Sequence, residues 1–277
     1  MIIDSLKKIV DQNREVDPLY LRNLLKENLQ YYVLNFVYGS KWGENLLFKG
    51  GSCLRMFFDL PRLSEDLDLD FINKDSFVLA NFLLDLEKYF SRTLQYKNLQ
   101  TKLSGKENII YLKFPLLDKL GLAESGEKTK ILFLRVDLAW AVGKKYKTEI
   151  SLKSTYDFSF LVRRYSLEDL FAGKIAAILQ RTSKEKGGVK PRTKGRDYFD
   201  LAWFLEKKIT PNFGYLQEIV SIDTQADLKL KLKKKIEALD LKILQDDLMP
   251  LFKDKVFVRN FVKNYKRLTY TWQELTP

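Results

Sequence analysis

The segment DLDLDF at 66–71 alternates acid and hydrophobe without a break, the period-two pattern of a half-buried strand. Leu67, Leu69 and Phe71 then cover a core while Asp66, Asp68 and Asp70 share the opposite face. A second constrained piece precedes it. The apolar run Leu46-Leu47-Phe48 meets Lys49-Gly50-Gly51-Ser52, and Cys53 to Leu60 has helical composition until Pro61 stops it. The expected order is strand, glycine turn, short helix, acidic strand.

The rest of the chain divides by hydrophobic period. Pro18 to Tyr38 is predicted to be a helix, with Leu21, Leu24, Leu25, Leu29, Tyr32, Val33 and Phe36 at three- and four-residue steps and Gly39 as its end. A helix is expected around Ser76 to Arg92. Antiparallel strands follow at Leu94 to Leu103 and Asn108 to Phe114, joined at Ser104-Gly105, and another strand at Lys130 to Trp140. On this last strand Arg135 and Asp137 lie opposite Leu132, Leu134, Val136 and Leu138. Short strands are expected at Thr148 to Leu152 and Phe158 to Arg163. Beyond Tyr165 the period becomes helical, which sets an α/β domain at 1–164 before a helical domain at 165–277. Ser166 and Asp169 form a capping box at the start of a helix whose buried stripe is Leu167, Leu170, Phe171, Ile175, Ile178 and Leu179. Arg181 to Arg196 reads as a mobile basic loop, and a further helix is expected from Asp197 to Lys207.

Composition excludes several chemistries. Histidine is absent from the 277 residues, which removes histidine bases, histidine zinc sites and Ser–His or Cys–His nucleophiles. The single cysteine, Cys53, excludes an internal disulfide and reads as a packing residue. The N-terminal segment breaks its apolar runs with charge, and no stretch approaches the ~20 apolar residues of a membrane span, so a cytoplasmic setting without membrane contact is expected. Lys and Arg number 48 against 36 Asp and Glu, a net +12 that favours a polyanionic partner.

Catalysis must then rest on carboxylates, lysines or metal. Asp66 and Asp68 on one strand face repel unless a cation sits between them, and hard oxygen donors suit Mg²⁺ or Mn²⁺. Asp137 supplies a third carboxylate. Acids on an exposed strand face can equally be solvated. Gly50 and Gly51 permit close approach of backbone to ligand, and the helix behind them aims N–H groups at the turn, with the Ser52 hydroxyl as a further donor. Together the turn and the acids form a specific arrangement for a metal-bound triphosphate. Lys174 falls on the apolar stripe of its helix, as does Arg181, either as a phosphate site or as snorkelling side chains. For Arg55 and Arg62, phosphate contact and surface solvation are equally open. The lysines at 229–235, like the basic loop, can be a solvated face or hold an RNA backbone.

KGGSCLR, PRLSEDLDLDF, YSLEDLFAGKIAAILQR and GRDYFDLAWFL, in that order over Lys49 to Leu205, resemble the AbiEii-type nucleotidyltransferase toxins of bacterial toxin–antitoxin and abortive-infection systems. Those belong to the superfamily with a DNA polymerase β-like palm. The resemblance implies an α+β fold: a palm with a mixed or antiparallel sheet, followed by an all-helical C-terminal half that completes the active-site cleft. It also implies nucleotide phosphates held at Gly51 and Ser52, metal at Asp66 and Asp68, and functional roles for Lys174 and for the pair Arg196 and Asp197. Asp70, an extra acid on the same face, is left out of the metal set. The expected function is metal-dependent transfer of a nucleoside monophosphate from an NTP to an acceptor with release of pyrophosphate. Asp66, Asp68 and Asp137 would hold metal; Gly50, Gly51, Ser52, Lys174 and Arg181 would hold the nucleotide. Asp197 joins the catalytic set. RNA, above all a tRNA 3′ end, is the expected acceptor, and an antitoxin encoded alongside the expected partner. A small-molecule or protein nucleotidyltransferase and a non-catalytic nucleic-acid-binding module are the alternatives.

Overall fold

The computed structural model describes residues 2–73, 77–104, 108–122, 130–185 and 188–275. Contacts divide the chain into two compact units, one of Met1–Phe58, Leu63–Ala141 and Glu149–Arg164, the other of Asp59–Arg62, Val142–Thr148 and Tyr165–Pro277.

The first unit is built on a mixed sheet. Helices α1 (Ile2–Gln12) and α2 (Pro18–Tyr38) lead into β1 (Leu46–Lys49), α3 (Gly50–Phe58), β2 (Asp66–Phe71) and α4 (Leu79–Lys88). Strands β3 (Gln100–Leu103), β4 (Ile109–Pro115), β5 (Ile131–Trp140), β6 (Thr148–Ser154) and β7 (Ser159–Tyr165) complete seven strands in the order β3-β4-β5-β2-β1-β7-β6. β2 is the hinge of this order: it runs antiparallel to β1 and parallel to β5. Local chemistry explains the best-defined helix. Asp17 caps α2 by accepting from the Tyr20 N–H at 3.0 Å, Pro18 opens it with its φ already set, and Gly39 closes it. Leu67 and Leu69 of β2 and Leu134 and Val136 of β5 are buried, so the alternation seen in the sequence does select a core face.

The other unit is mainly helical, from α5 (Leu167–Gln180) and α6 (Gly195–Glu206) through α7 (Phe213–Val220), α8 (Gln225–Glu237), α9 (Leu241–Leu248) and α10 (Lys255–Leu275). Ser166 caps α5, its Oγ accepting from the Asp169 N–H at 3.3 Å and donating to the Asp169 carboxylate at 2.8 Å. Phe171 of α5 stacks on Phe204 of α6 at 4.3 Å between ring centroids. Among the described residues no helix is long and apolar enough to cross a membrane.

Four expectations about elements need correction. Arg181 to Arg196 is no plain loop: β8 (Thr182–Glu185) and β9 (Gly188–Pro191) pair as an antiparallel hairpin, because backbone hydrogen bonds need no core-forming side chains. Lys186 and Gly187 lie outside the described residues. The strand expected from Leu94 starts at Gln100, since Leu94 and Tyr96 are buried beside a π-turn at Tyr89–Thr93. The helix expected from Ser76 begins at Leu79, and Ser76 and Gly105 lie outside the described residues. Finally, α3 ends at Phe58, two residues ahead of the expected Leu60, because Asp59 turns left-handed at φ 58°.

Candidate active site

The glycine turn and the acidic strand touch. Gly50 has φ 80°, a left-handed conformation that glycine alone adopts freely, and it opens α3 directly after β1. A Cβ on Gly50 would collide with the Asp68 carboxylate, so the missing side chain is what lets the turn and the acid lie together. Ser52 is fully buried and its Oγ donates to the Asp66 carbonyl at 3.0 Å, stapling the first turn of α3 to the first residue of β2. Gly51 and Cys53 are buried in the same turn, and burial pushes the Cys53 thiol far above its usual range, which makes it inert.

Strand register then gathers the acids. Asp68 lies opposite Asp137 in the parallel β2–β5 pair, and Asp66 lies opposite Arg135. On its other side Asp68 lies opposite Lys49 of β1. Arg135 Nε donates to Asp137 Oδ1 at 2.6 Å. Burial, then the charge of Asp68, raises the Asp137 carboxyl to about 6, with Arg135 pulling it down and Asp66 adding to the rise. Asp70 is different. It is buried on the far part of the strand and paired with Lys49 at 2.5 Å.

A second charged cluster occupies the helical unit. Asp197 and Asp200 stand one turn apart on α6 and are both buried. Lys174 of α5 reaches Asp200 at 2.6 Å and Asp197 at 3.1 Å, and Arg181 reaches Asp197 at 2.8 Å. Arg62 grips Asp200 with two bonds, Nε to Oδ1 at 2.6 Å and Nη2 to Oδ2 at 2.7 Å. Burial alone would raise the Asp197 carboxyl, but Lys174 and Arg181, helped by Arg196, hold it down at about 2. Gly195, which starts α6, packs so closely on the backbone of Leu244 that a Cβ has no room, and its N–H donates to Asp247 at 2.6 Å.

Of the sequence candidates, the structure thus brings Gly50, Gly51, Ser52, Asp66, Asp68 and Asp137 into one sheet cluster, and Lys174, Arg181 and Asp197 into one helical cluster. The helical cluster also takes in Arg62, for which phosphate contact and surface solvation were both open, and Asp200. Arg62 is 1% exposed rather than a solvated surface residue, because Asp200 compensates its charge inside the unit. Asp200 was visible only as an acid one turn after Asp197; that i, i+3 spacing is the signal that could have found it. Among the described residues no three acids converge closely enough to form a ready metal cluster. The donor set nonetheless fits a hard divalent cation: carboxylates of adjacent strands in one register, one of them raised in pKa first by burial and then by its like-charged neighbours.

The family described as "Nucleotidyl transferase AbiEii toxin, Type IV TA system" matches residues 35–259, about four-fifths of the chain. The chain belongs to this AbiEii family. It is accordingly a nucleotidyltransferase of the toxin type, and its mixed sheet with a mainly helical C-terminal part is the α+β arrangement that was expected. No curated protein matches it. Among solved structures, a candidate nucleotidyltransferase from H. pylori is similar at 16% identity and TM-score 0.47, over 92% of this chain and 97% of that one. The protein JHP933 from Helicobacter pylori is similar at 16% identity and TM-score 0.45, over 91% and 97%.

Proposed function

We propose that this AbiEii family member transfers a nucleoside monophosphate from an NTP to an RNA acceptor, with a tRNA 3′ end as the target, under Mg²⁺ or Mn²⁺. The observation that carries the reading is the position of Asp68, opposite Asp137 in register and against the side-chain-free Gly50. Phosphate-binding backbone and metal-binding carboxylate are thereby adjacent on one unit. Asp66, Asp68 and Asp137 would hold the metal, whose chemistry when bound is to activate the acceptor hydroxyl and offset charge on the leaving pyrophosphate.

The chain's own residues divide the remaining work. The Gly50-Gly51 backbone receives the phosphates, with the positive end of α3 behind it. Ser52 gives its proton to the Asp66 carbonyl, so it serves the nucleotide by fixing the turn against β2. Arg135 orients Asp137 and keeps part of its charge in place. Within the helical unit Lys174 and Arg181 are held as a cationic pair, and Asp197, ionised throughout the physiological range, positions both rather than moving a proton.

The net charge of +12 supports a polyanionic acceptor over a small molecule or protein. The family's toxin–antitoxin setting supports a partner antitoxin and a cytoplasmic site of action. The test is transfer of α-labelled NTPs to total RNA with Mg²⁺. Wild type should label small RNA, and Asp68→Asn should label it at least 1000-fold more slowly, roughly the loss of about 4 kcal/mol of transition-state stabilisation. Label on protein or on a small molecule would give the acceptor to an alternative reading. No label with any NTP, while Asp68→Asn binds RNA as wild type does, would leave a binding module.

A further inference from the structure

Helix α8 carries five lysines between Lys229 and Lys235, and its own buried stripe divides them. Leu228, Leu232 and Ile236 recur every four residues and are buried. At 3.6 residues per turn, Lys231, Lys234 and Lys235 fall on one flank of that stripe, and Lys229 and Lys233 on the other. The first flank borders a cavity of about 320 Å³, walled by Leu179 and Gln180 at the end of α5 and Val220 at the end of α7. Gln180 Nε2 donates to the Ile219 carbonyl at 3.1 Å, which ties the two helix ends together. The wall is thus built by the helical unit itself.

Charge on this flank is poorly compensated. Among the described residues no acid lines the cavity. Lys231 reaches Asp227, one turn back, at 2.8 Å, while the Lys234 and Lys235 ammonium groups make no ion pair or hydrogen bond among the described residues. Lys231 stands three and four residues before those two, the spacings at which like charges repel across a helix face, and apolar walls screen that repulsion less than water does. The helix dipole favours cations in the last turn, where Lys234 and Lys235 stand, but it acts on every face of that turn alike. An anion in the cavity relieves the repulsion.

We propose, on the reading that the acceptor is RNA, that Lys231, Lys234 and Lys235 beside the Leu179 and Val220 wall bind its phosphodiester backbone, and that Lys229 and Lys233 do not. Lysine without arginine suits that partner. An ammonium is a rotatable point charge that follows a sugar-phosphate chain without reading its sequence, whereas the carboxylates of an acidic protein segment are gripped best by the planar guanidinium fork.

Two double variants of equal charge test this, Lys234→Gln/Lys235→Gln on the cavity flank and Lys229→Gln/Lys233→Gln on the other. Equilibrium binding of labelled bulk tRNA to the full chain is measured over a range of salt, with polyglutamate as a second probe and thermal melts as the check of folding. The cavity double should bind tRNA about tenfold more weakly at low salt, and the slope of log affinity against log salt should fall by about 1.5. The other double should stay within about twofold of wild type with its slope unchanged. Equal losses in the two doubles, or a cavity double that binds tRNA as wild type does, overturn the proposal. A cavity double that loses polyglutamate but keeps tRNA also overturns it, giving the face to an acidic protein segment. Wild type that neither binds tRNA nor labels RNA overturns the acceptor reading, and the proposal with it. Labelling of RNA by wild type, with the two doubles indistinguishable in binding, overturns the proposal alone.

Discussion

Asp137 on the sheet and Asp197 on the helices are the same side chain in opposite electrical settings. Both lose water on folding. Around Asp137 the next influence after burial is another aspartate, and its carboxyl rises to about 6; around Asp197 the next influences are a lysine and an arginine, and its carboxyl falls to about 2. Like charges gathered at one place weaken a fold and serve only if a ligand relieves them, whereas paired charges hold their own geometry. On the proposed function the sheet cluster is arranged for chemistry at the cost of stability, whereas the helical cluster is held together by its own ion pairs.

The contrast can be broken at its strongest point with Asp200→Ala. That change leaves Arg62 buried without its carboxylate and should cost about 3–5 kcal/mol, read as a lower urea midpoint at unchanged slope. The matched change on the sheet, Asp137→Asn, should be neutral or stabilising by about 1 kcal/mol, since it removes a like-charge contact near solvent. Equal destabilisation by the two would erase the distinction.

Gly50→Ala probes the junction of turn and acid. The φ of 80° and the collision with Asp68 should together cost about 2–3 kcal/mol and most of the transfer activity. Activity that survives in a folded Gly50→Ala would separate the turn from the acid.

A smaller effect distinguishes the helical cluster by pH. The folded Asp197 carboxyl lies at about 2, below its unfolded value, so the stability it contributes is fully present above the unfolded pKa and disappears as pH falls through about 2. A gap of nearly two units corresponds to about 2 kcal/mol at pH 6. Wild type should therefore exceed Asp197→Asn in unfolding free energy at pH 6, and the difference should shrink steadily below about pH 4. A difference independent of pH would assign it to packing instead.

The sequence disclosed these clusters unevenly. α2 was legible to its last residue because period, proline and glycine all act locally. The acidic strand and the turn were legible for the same reason, while the Lys49–Asp70 ion pair was not part of that reading. Ser52 was expected to point its hydroxyl at a ligand, yet that hydroxyl serves β2, fourteen residues on, a choice that only packing decides. Arg62 was the least legible. Its partner lies 138 residues away, and nothing near Pro61 distinguishes a buried arginine from a solvated one. The β8–β9 hairpin hid for a different reason: its pairing uses backbone groups that every residue carries.

The central claim is that the sheet acids, unlike the helical ones, are a metal platform, and Mn²⁺ binding by equilibrium titration tests it most directly. Wild type should bind Mn²⁺, Asp68→Asn should bind it at least tenfold more weakly, and Asp197→Asn should match wild type within about twofold. Equal Mn²⁺ affinity in wild type and Asp68→Asn, or an equal loss in both variants, would contradict the claim.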